Sequence, residues 1–445
     1  MQAKLNVHNE VGRLRQVMLH RPGKELLNLS PSNLEPLLFD DIPFLEVAQS
    51  EHDEFARLLR EEGVEVLYLE DLLTETLGSS ARLRRQFRDD YVRESGLTGA
   101  RTISAVRERL DSIEDMREFV SEIIRGVRRD ELDLGHAGSL ELADLVGTAQ
   151  SGNPDLVIDP MPNLYFTRDN FTVVGNGVNL NSMYSVTRRR ETLLGYYVFS
   201  YHPAYRDTPI WYQRNSPYRL EGGDFLNLSA DTVAIGISQR TVSAAIDLYA
   251  KNIFWGGEGR PPIETIYAFL IPDTRAMMHL DTVFTQVDVD AFLYHPGILH
   301  TLEVFRVTRG ARVGELSIER MDQGLDRVLA KAMGLDAVKL IRCGGNDAIA
   351  AAREQWNDGS NTLAVSPGRI FVYRRNALTN DILYKAGYEL LEIPSAELSR
   401  GRGGPHCMSM PFVRDELWMG THAIIRWERT PSSRWSFRGA WRARQ

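Results

Sequence analysis

Apolar and polar positions change period several times along the chain. Leu14-Arg15-Gln16-Val17-Met18-Leu19 alternates loosely, as a strand does, and Arg21-Pro22-Gly23 breaks it. Phe44, Val47, Ala48, Phe55, Leu58 and Leu59 then fall at helical spacing, with Gly63 as a C-terminal stop. Val64 to Leu69 predicts the next strand. From Phe44 to Asn153 there is no proline. Within that stretch Val106, Leu110, Ile113, Met116, Phe119, Val120, Ile123, Ile124 and Val127 recur at steps of three and four, an amphipathic helical pattern. Residues 76–150 therefore read as a helical insertion between two α/β stretches. It is expected as a bundle packed on the core, with a lid or an oligomer surface as the functional alternative.

From Pro154 onward Gly, Pro and aromatics are more frequent, and short strands are predicted at Phe171–Val174, Thr232–Ile235, Thr265–Phe269 and Ile370–Tyr373. Helical spacing separates some of them, as in Val242 to Ile253. The fold class is mixed α/β, with residues 1–75 and 151–426 flanking the insertion. No internal repeat is evident in the side-chain pattern. Residues 427–445 read as a basic, poorly ordered tail; Arg429 to Gln445 holds five arginines and no acid.

Composition narrows the class. With 43% hydrophobic and 25% charged residues in 445, the chain is of ordinary globular make-up, which excludes disordered, collagen-like and membrane classes. The length suggests two or three domains, or one large domain with an insertion. No apolar run approaches the roughly 18–20 residues that span a bilayer. Met1 to Glu10 lacks the apolar core of a secretory signal. A net charge of -8 argues against nucleic acid or an anionic membrane as partner, yet suits a small cation. Two cysteines, Cys343 and Cys407, build no disulfide framework, so a reducing, cytoplasmic setting is expected.

Candidate chemistry is concentrated in a few motifs. There is no HExxH, no paired Cys/His spacing and no phosphate-binding loop, so neither metal nor cofactor is expected. Cys407 follows Gly401-Arg402-Gly403-Gly404-Pro405-His406, where glycines admit close approach and arginine favours a thiolate. On an extended chain His406 points away from Cys407 and is a poor base for it. Cys343 reads as a buried strand end before a turn. On a strand, His279 and Asp281 would share one face, a pairing suited to acid/base work. Glu221-Gly222-Gly223-Asp224 and Phe166-Thr167-Arg168-Asp169 add carboxylates. Carboxylates around a cysteine raise its pKa, which is wrong for a neutral electrophile. They make sense for a cationic substrate, whose guanidinium two carboxylates clamp and whose charge then favours the thiolate.

These motifs, taken in order with Asn163, Leu37-Leu38-Phe39-Asp40-Asp41-Ile42 and Gly236-Ile237-Ser238-Gln239-Arg240-Thr241, closely resemble the arginine deiminase family from about residue 8 to about 425. The resemblance implies a pentein fold, a five-bladed α/β propeller of ββαβ modules, with a helical insertion at 76–150. It implies L-arginine as substrate and a homo-oligomer, dimer or tetramer. It also implies Cys407 as nucleophile, His279 as switching acid and base, Glu221 as its orienting carboxylate, and Asp169 and Asp281 as the guanidinium clamp. Arg188 and Arg240 match the α-carboxylate binders. Asn163 and Phe166 match contacts to the amino-acid end, and Asp224 is counted with them. Arg402 matches a loop arginine that gates the pocket in the family. Arg189 and Arg190 read as solvated or intersubunit charge. Asn170 and Met410 depart from the family pattern without touching these roles. Other guanidine-modifying penteins (agmatine or methylarginine hydrolases, amidinotransferases) stay open, as does a non-catalytic arginine-binding protein.

Overall fold

The structure, a computed structural model, describes residues 5–135, 140–147, 149–257, 259–299 and 301–417. The basic tail at 427–445 lies outside the described residues. Five sheets repeat one topology: an antiparallel strand pair, a crossover helix, and a third strand parallel to the second. The first module joins Met410–Arg414 to Leu14–Leu19, passes through helix Leu45–Glu61 and ends at Glu65–Tyr68. The second is Phe171–Val174, Gly177–Leu180, helix Glu191–Tyr201 and Ile210–Tyr212. The third is Phe225–Asn227, Thr232–Ile237, helix Ser243–Trp255 and Thr265–Leu270. The fourth is Phe284–Asp288, Ala291–Tyr294, helix Leu325–Met333 and Lys339–Arg342. The fifth is Leu363–Ser366, Arg369–Tyr373, helix Ala377–Lys385 and Glu389–Ile393.

The modules touch in sequence and close a ring. Met410–Arg414 contacts Phe171–Val174; turn Thr167–Asn170 contacts turn Gly222–Asp224; Phe225–Asn227 contacts turn Leu280–Thr282. Phe284–Asp288 contacts Leu363–Ser366, which contacts Leu14–Leu19 again. The repeat invisible in the side-chain pattern is thus a repeat of backbone topology. A hairpin, Glu303–Arg309 and Leu316–Met321, interrupts the fourth module and pairs onto Thr265–Leu270 of the third.

Between Glu65–Tyr68 and Leu156–Ile158 run helices Leu69–Gly78, Ala81–Glu94, Ala100–Ser112, Met116–Arg125 and Leu142–Val146. The apolar pattern from Val106 to Val127 is carried by two of them. Asp115 separates them by accepting from the Glu118 amide at 2.8 Å, an N-cap that starts a new helix. Leu73, Phe87, Val106, Phe119 and Ile123 share one apolar cluster with Phe171, Leu194 and Tyr197 of the second module. Phe87 meets Tyr197 edge-to-face at 4.8 Å, and such a buried ring contributes about 1.5–3 kcal/mol by burial. Among the described residues no helix is long and apolar enough to cross a membrane.

Candidate active site

Every module delivers a polar side chain from the segment just before its first strand. Asp169 sits in helical turn Thr167–Asn170, ahead of Phe171. Glu221 precedes the turn Gly222–Asp224, ahead of Phe225. His279 precedes the turn Leu280–Thr282, which contains Asp281, ahead of Phe284. Asn361 lies ahead of Leu363 and Cys407 ahead of Met410. Ring closure brings these five segments together. The double glycine is what lets them meet. A Cβ on Gly222 would lie 1.9 Å from the Arg168 carbonyl oxygen, and one on Gly223 would lie 2.5 Å from Nδ1 of His279.

The side chains form one buried polar cluster. Cys407 Sγ lies 3.4 Å from Oδ2 of Asp281, and Asn361 Nδ2 donates to Sγ at 3.1 Å. His279 Nε2 bonds Oε2 of Glu221 at 2.9 Å, and its Nδ1 is 3.7 Å from Oδ1 of Asp169. Arg188 Nη1 meets Oδ2 of Asp169 at 2.8 Å, and its Nη2 meets Glu191 at 3.0 Å. Oδ1 of Asp169 and Oδ1 of Asp281 are buried without a hydrogen-bond partner among the described residues. Each of the two carboxylates therefore keeps an oxygen able to accept a hydrogen bond from a ligand.

Electrostatics follow from burial among acids. Burial, then Asp281 and Asp169, push the Cys407 thiol well above its ordinary pKa. Burial opposes charge on His279, but Asp169, Glu221 and Asp224 outweigh it and raise its pKa to about 9. Burial opposes charge on Glu221 as well; Arg240, His279 and Arg188 outweigh it and bring its pKa down to about 2. The site thus rests with a neutral thiol beside an imidazolium.

A family model described as arginine deiminase matches residues 35–414. The chain is 51% identical over 416 residues to an arginine deiminase of Treponema denticola, covering 93% of this chain and 100% of that one. It is 50% identical over 414 residues to an arginine deiminase of Streptococcus agalactiae, covering 93% and 98%. The chain belongs to the arginine deiminase family. Among solved structures, an amidinotransferase of saxitoxin biosynthesis from Microseira wollei superposes with a TM-score of 0.51 at 15% identity, covering 94% of this chain and 98% of that one. That likeness is one of fold, the pentein propeller.

Most of the residues singled out by resemblance to the arginine deiminase family come together. Asn163, Phe166, Asp169 and Arg188 line one narrow cavity with Arg240, His279, Arg402 and Cys407. Glu221 stands behind His279, and Asp281 beside Cys407. Several expectations need correction. Asp224 does not line the cavity: its oxygens accept from the Leu280 amide at 2.9 Å and Ser238 Oγ at 2.7 Å, so it fixes the turn that carries His279 and Asp281. His279 and Asp281 do not share a strand face; His279 is extended and Asp281 lies within the 3-10 turn Leu280–Thr282. His406 lies in a turn, not an extended chain, and its Nδ1 bonds Oδ2 of Asp281 at 2.8 Å. Arg190 is not solvated: it is buried over the Tyr91 ring and donates to the Asp159 carbonyl at 2.8 Å. Arg189 is exposed. Cys343 is buried at a strand end, its thiol raised to about 11 by burial.

Arg402 has a left-handed backbone (φ 65°), and its guanidinium lies 3.5 Å from the Trp356 ring centroid. None of its guanidinium nitrogens has a hydrogen-bond partner among the described residues. Leu38, Arg275 and Met278 also line the cavity and were not anticipated one by one. Nor was Asn361, because Asp358-Gly359-Ser360-Asn361-Thr362 reads as an ordinary polar turn. Its one distinguishing signal is position, ahead of a module's first strand.

Proposed function

We propose that the protein hydrolyses L-arginine to L-citrulline and ammonia through a covalent intermediate on Cys407. The observation that carries this is the placement of the buried Cys407 thiol between carboxylates that each keep an unpartnered oxygen, beside a protonated histidine. A guanidinium supplies N–H donors to Asp169 and Asp281 and neutralises their field at sulfur, so the thiol gives up its proton to solvent, and the thiolate forms, only with substrate in place. Sγ attacks the guanidinium carbon and an S–C bond forms. His279 gives its proton to a terminal nitrogen, and the C–N bond breaks to release ammonia. Water, deprotonated by the now neutral His279, adds to the thiouronium carbon. The C=O bond then forms as the hydroxyl proton passes to solvent and the C–S bond breaks, its electrons return to sulfur, and citrulline leaves. Glu221 holds His279 in position throughout.

Arg240 and Arg188 take the α-carboxylate in this reading. Among the described residues Arg240 is the less engaged of the two, its Nη1 lying 3.7 Å from Glu221 with no hydrogen bond, whereas Arg188 is bonded to Asp169 and Glu191. Asn163 and Phe166 border the amino-acid end, and Arg402 borders the opening beside Gly401. A cytoplasmic setting is part of the proposal and is supported by two buried free cysteines. Homo-oligomerisation is also part of it, supported by exposed Leu142, Leu145 and Val146.

The test is release of citrulline and ammonia from L-arginine, agmatine and Nω-methylarginine by wild type and Cys407→Ala. Release from arginine that vanishes in the variant is expected. Release from agmatine alone would overturn the roles of Arg188 and Arg240, and no release by folded protein would overturn hydrolysis.

A further inference from the structure

Four of the five pre-strand segments supply groups used in the reaction above. The fifth supplies Asn361, whose amide is fully engaged. Its Oδ1 accepts from the backbone amides of Gly404 at 3.1 Å and Cys407 at 3.0 Å. Backbone N–H groups only donate, so the atom they meet is the amide oxygen, and the nitrogen is the atom that faces sulfur. That Nδ2 lies 3.1 Å from Cys407 Sγ and 3.1 Å from the Asp281 carbonyl. The close approach is built in: a Cβ on Gly404 would lie 2.6 Å from the Asn361 carbonyl oxygen. Asn361 is completely buried, so water does not compete for its donors.

The sulfur needs such a donor. It faces Asp281, Asp169 and Asp358, with Tyr165 and Tyr373 also in its field. Of the basic side chains nearby, His406 is bonded to Asp281 and Glu10, His279 to Glu221, and Arg402 stacks on Trp356. As a thiol, Cys407 donates to Asp281. Once the proton is gone that contact no longer holds, and the contact to Asn361 strengthens because its acceptor is charged.

We propose that Asn361 is a catalytic residue of the deiminase reaction: its Nδ2–H binds the Cys407 thiolate as it forms and again as it departs, while its Oδ1 fixes the 404–407 turn beneath it. This rests on the reading of Cys407 as the nucleophile. Asn361 would otherwise be a loop clip, acting through Oδ1 alone.

The experiment is the pH dependence of Cys407 alkylation by iodoacetamide, followed on the Cys407 peptide by mass spectrometry so that Cys343 does not interfere. In alkylation the thiolate forms an S–C bond and iodide leaves. Wild type is compared with Asn361→Ala, which removes the donor without adding charge, and with Asn361→Asp, isosteric and able to keep the acceptor for Gly404 and Cys407. The midpoint is expected to rise by about one to two pH units in both variants, the scale of one hydrogen bond to a charged group. The high-pH plateau is expected to stay within twofold of wild type, and citrulline release at pH 7 to fall about ten- to a hundredfold. An unchanged midpoint in Asn361→Ala, or in Asn361→Asp should the alanine variant not fold, overturns the proposal. So does a rate lowered equally at every pH, which is the mark of a loop clip. Should wild type release no citrulline, the deiminase reading fails by itself, and the alkylation profile still decides whether Asn361 holds the thiolate.

Discussion

Cys407 Sγ and Asp281 Oδ2 lie 3.4 Å apart, so the sulfur proposed to become an anion rests against a carboxylate. Replacing Asp281 with Asn therefore has effects of opposite sign. At pH 7, alkylation of the free enzyme by neutral iodoacetamide rises about tenfold, because a negative neighbour is gone. Turnover of arginine falls more than about a hundredfold, because the clamp has lost its charge. Parallel alkylation and citrulline assays check this, and a fall in both rates would rule out Asp281 as a clamp.

His279 is held protonated, with its pKa raised to about 9, by Asp169, Glu221 and Asp224 against burial. A raised pKa keeps the acid form present through neutral pH and loses it as pH climbs through 9. We expect kcat/KM to fall on that alkaline limb. Glu221→Gln removes one carboxylate, so the limb moves down toward the ordinary histidine value. A pH–rate series on both proteins would show the shift, and an unmoved limb would disconnect Glu221 from His279.

Gly223→Ala places a methyl 2.5 Å from His279 Nδ1. The ring must turn out of line with Glu221 and Asp169. Citrulline release is expected to drop by about a hundredfold, as misplacement on the scale of an ångström does, with kcat affected more than KM. Calorimetry run alongside would show whether the fold survives; full activity in a folded variant would contradict the packing.

Away from the site, buried His20 bridges Glu70 at 2.8 Å and Glu25 at 3.1 Å. Burial opposes its charge, but the two carboxylates raise its pKa to about 10. The stability it contributes is fully present below the ordinary histidine value and is lost as pH rises through 10. His20→Leu leaves two carboxylates without their cation and costs about 3–5 kcal/mol near neutrality. The gap in Tm between the two proteins should narrow steadily from pH 6.5 toward pH 10. A gap constant across that range would mean His20 is neutral in the fold.

The elements legible in the sequence were those whose side chains are sorted by water. Leu14–Leu19 and Ser243–Trp255 show their faces in their spacing, whereas Phe171–Val174 is buried throughout and was legible from its β-branched and aromatic residues. Cys407, His279 and the acids were legible because their motifs, taken in order, resemble the arginine deiminase family; only those of Cys407 and Glu221 carry glycines that crowding requires. Asp224 was misplaced because an acid that orders backbone and an acid that meets substrate look alike in sequence. Arg190 was misread because a run of arginines suggests solvent, and only the fold sets the Tyr91 ring beneath it. Asn361 was missed because its role depends on ring closure, which brings residue 361 to residue 407.

The first module is assembled from segments nearly four hundred residues apart: Met410–Arg414 pairs with Leu14–Leu19. Cys407 sits just ahead of the later of these strands. A nascent chain that has made four modules holds His279, Glu221, Asp169 and Asp281, yet lacks Cys407 beside them. The reactive centre comes into being only when the ring seals, so catalytic competence doubles as a proof that folding has finished.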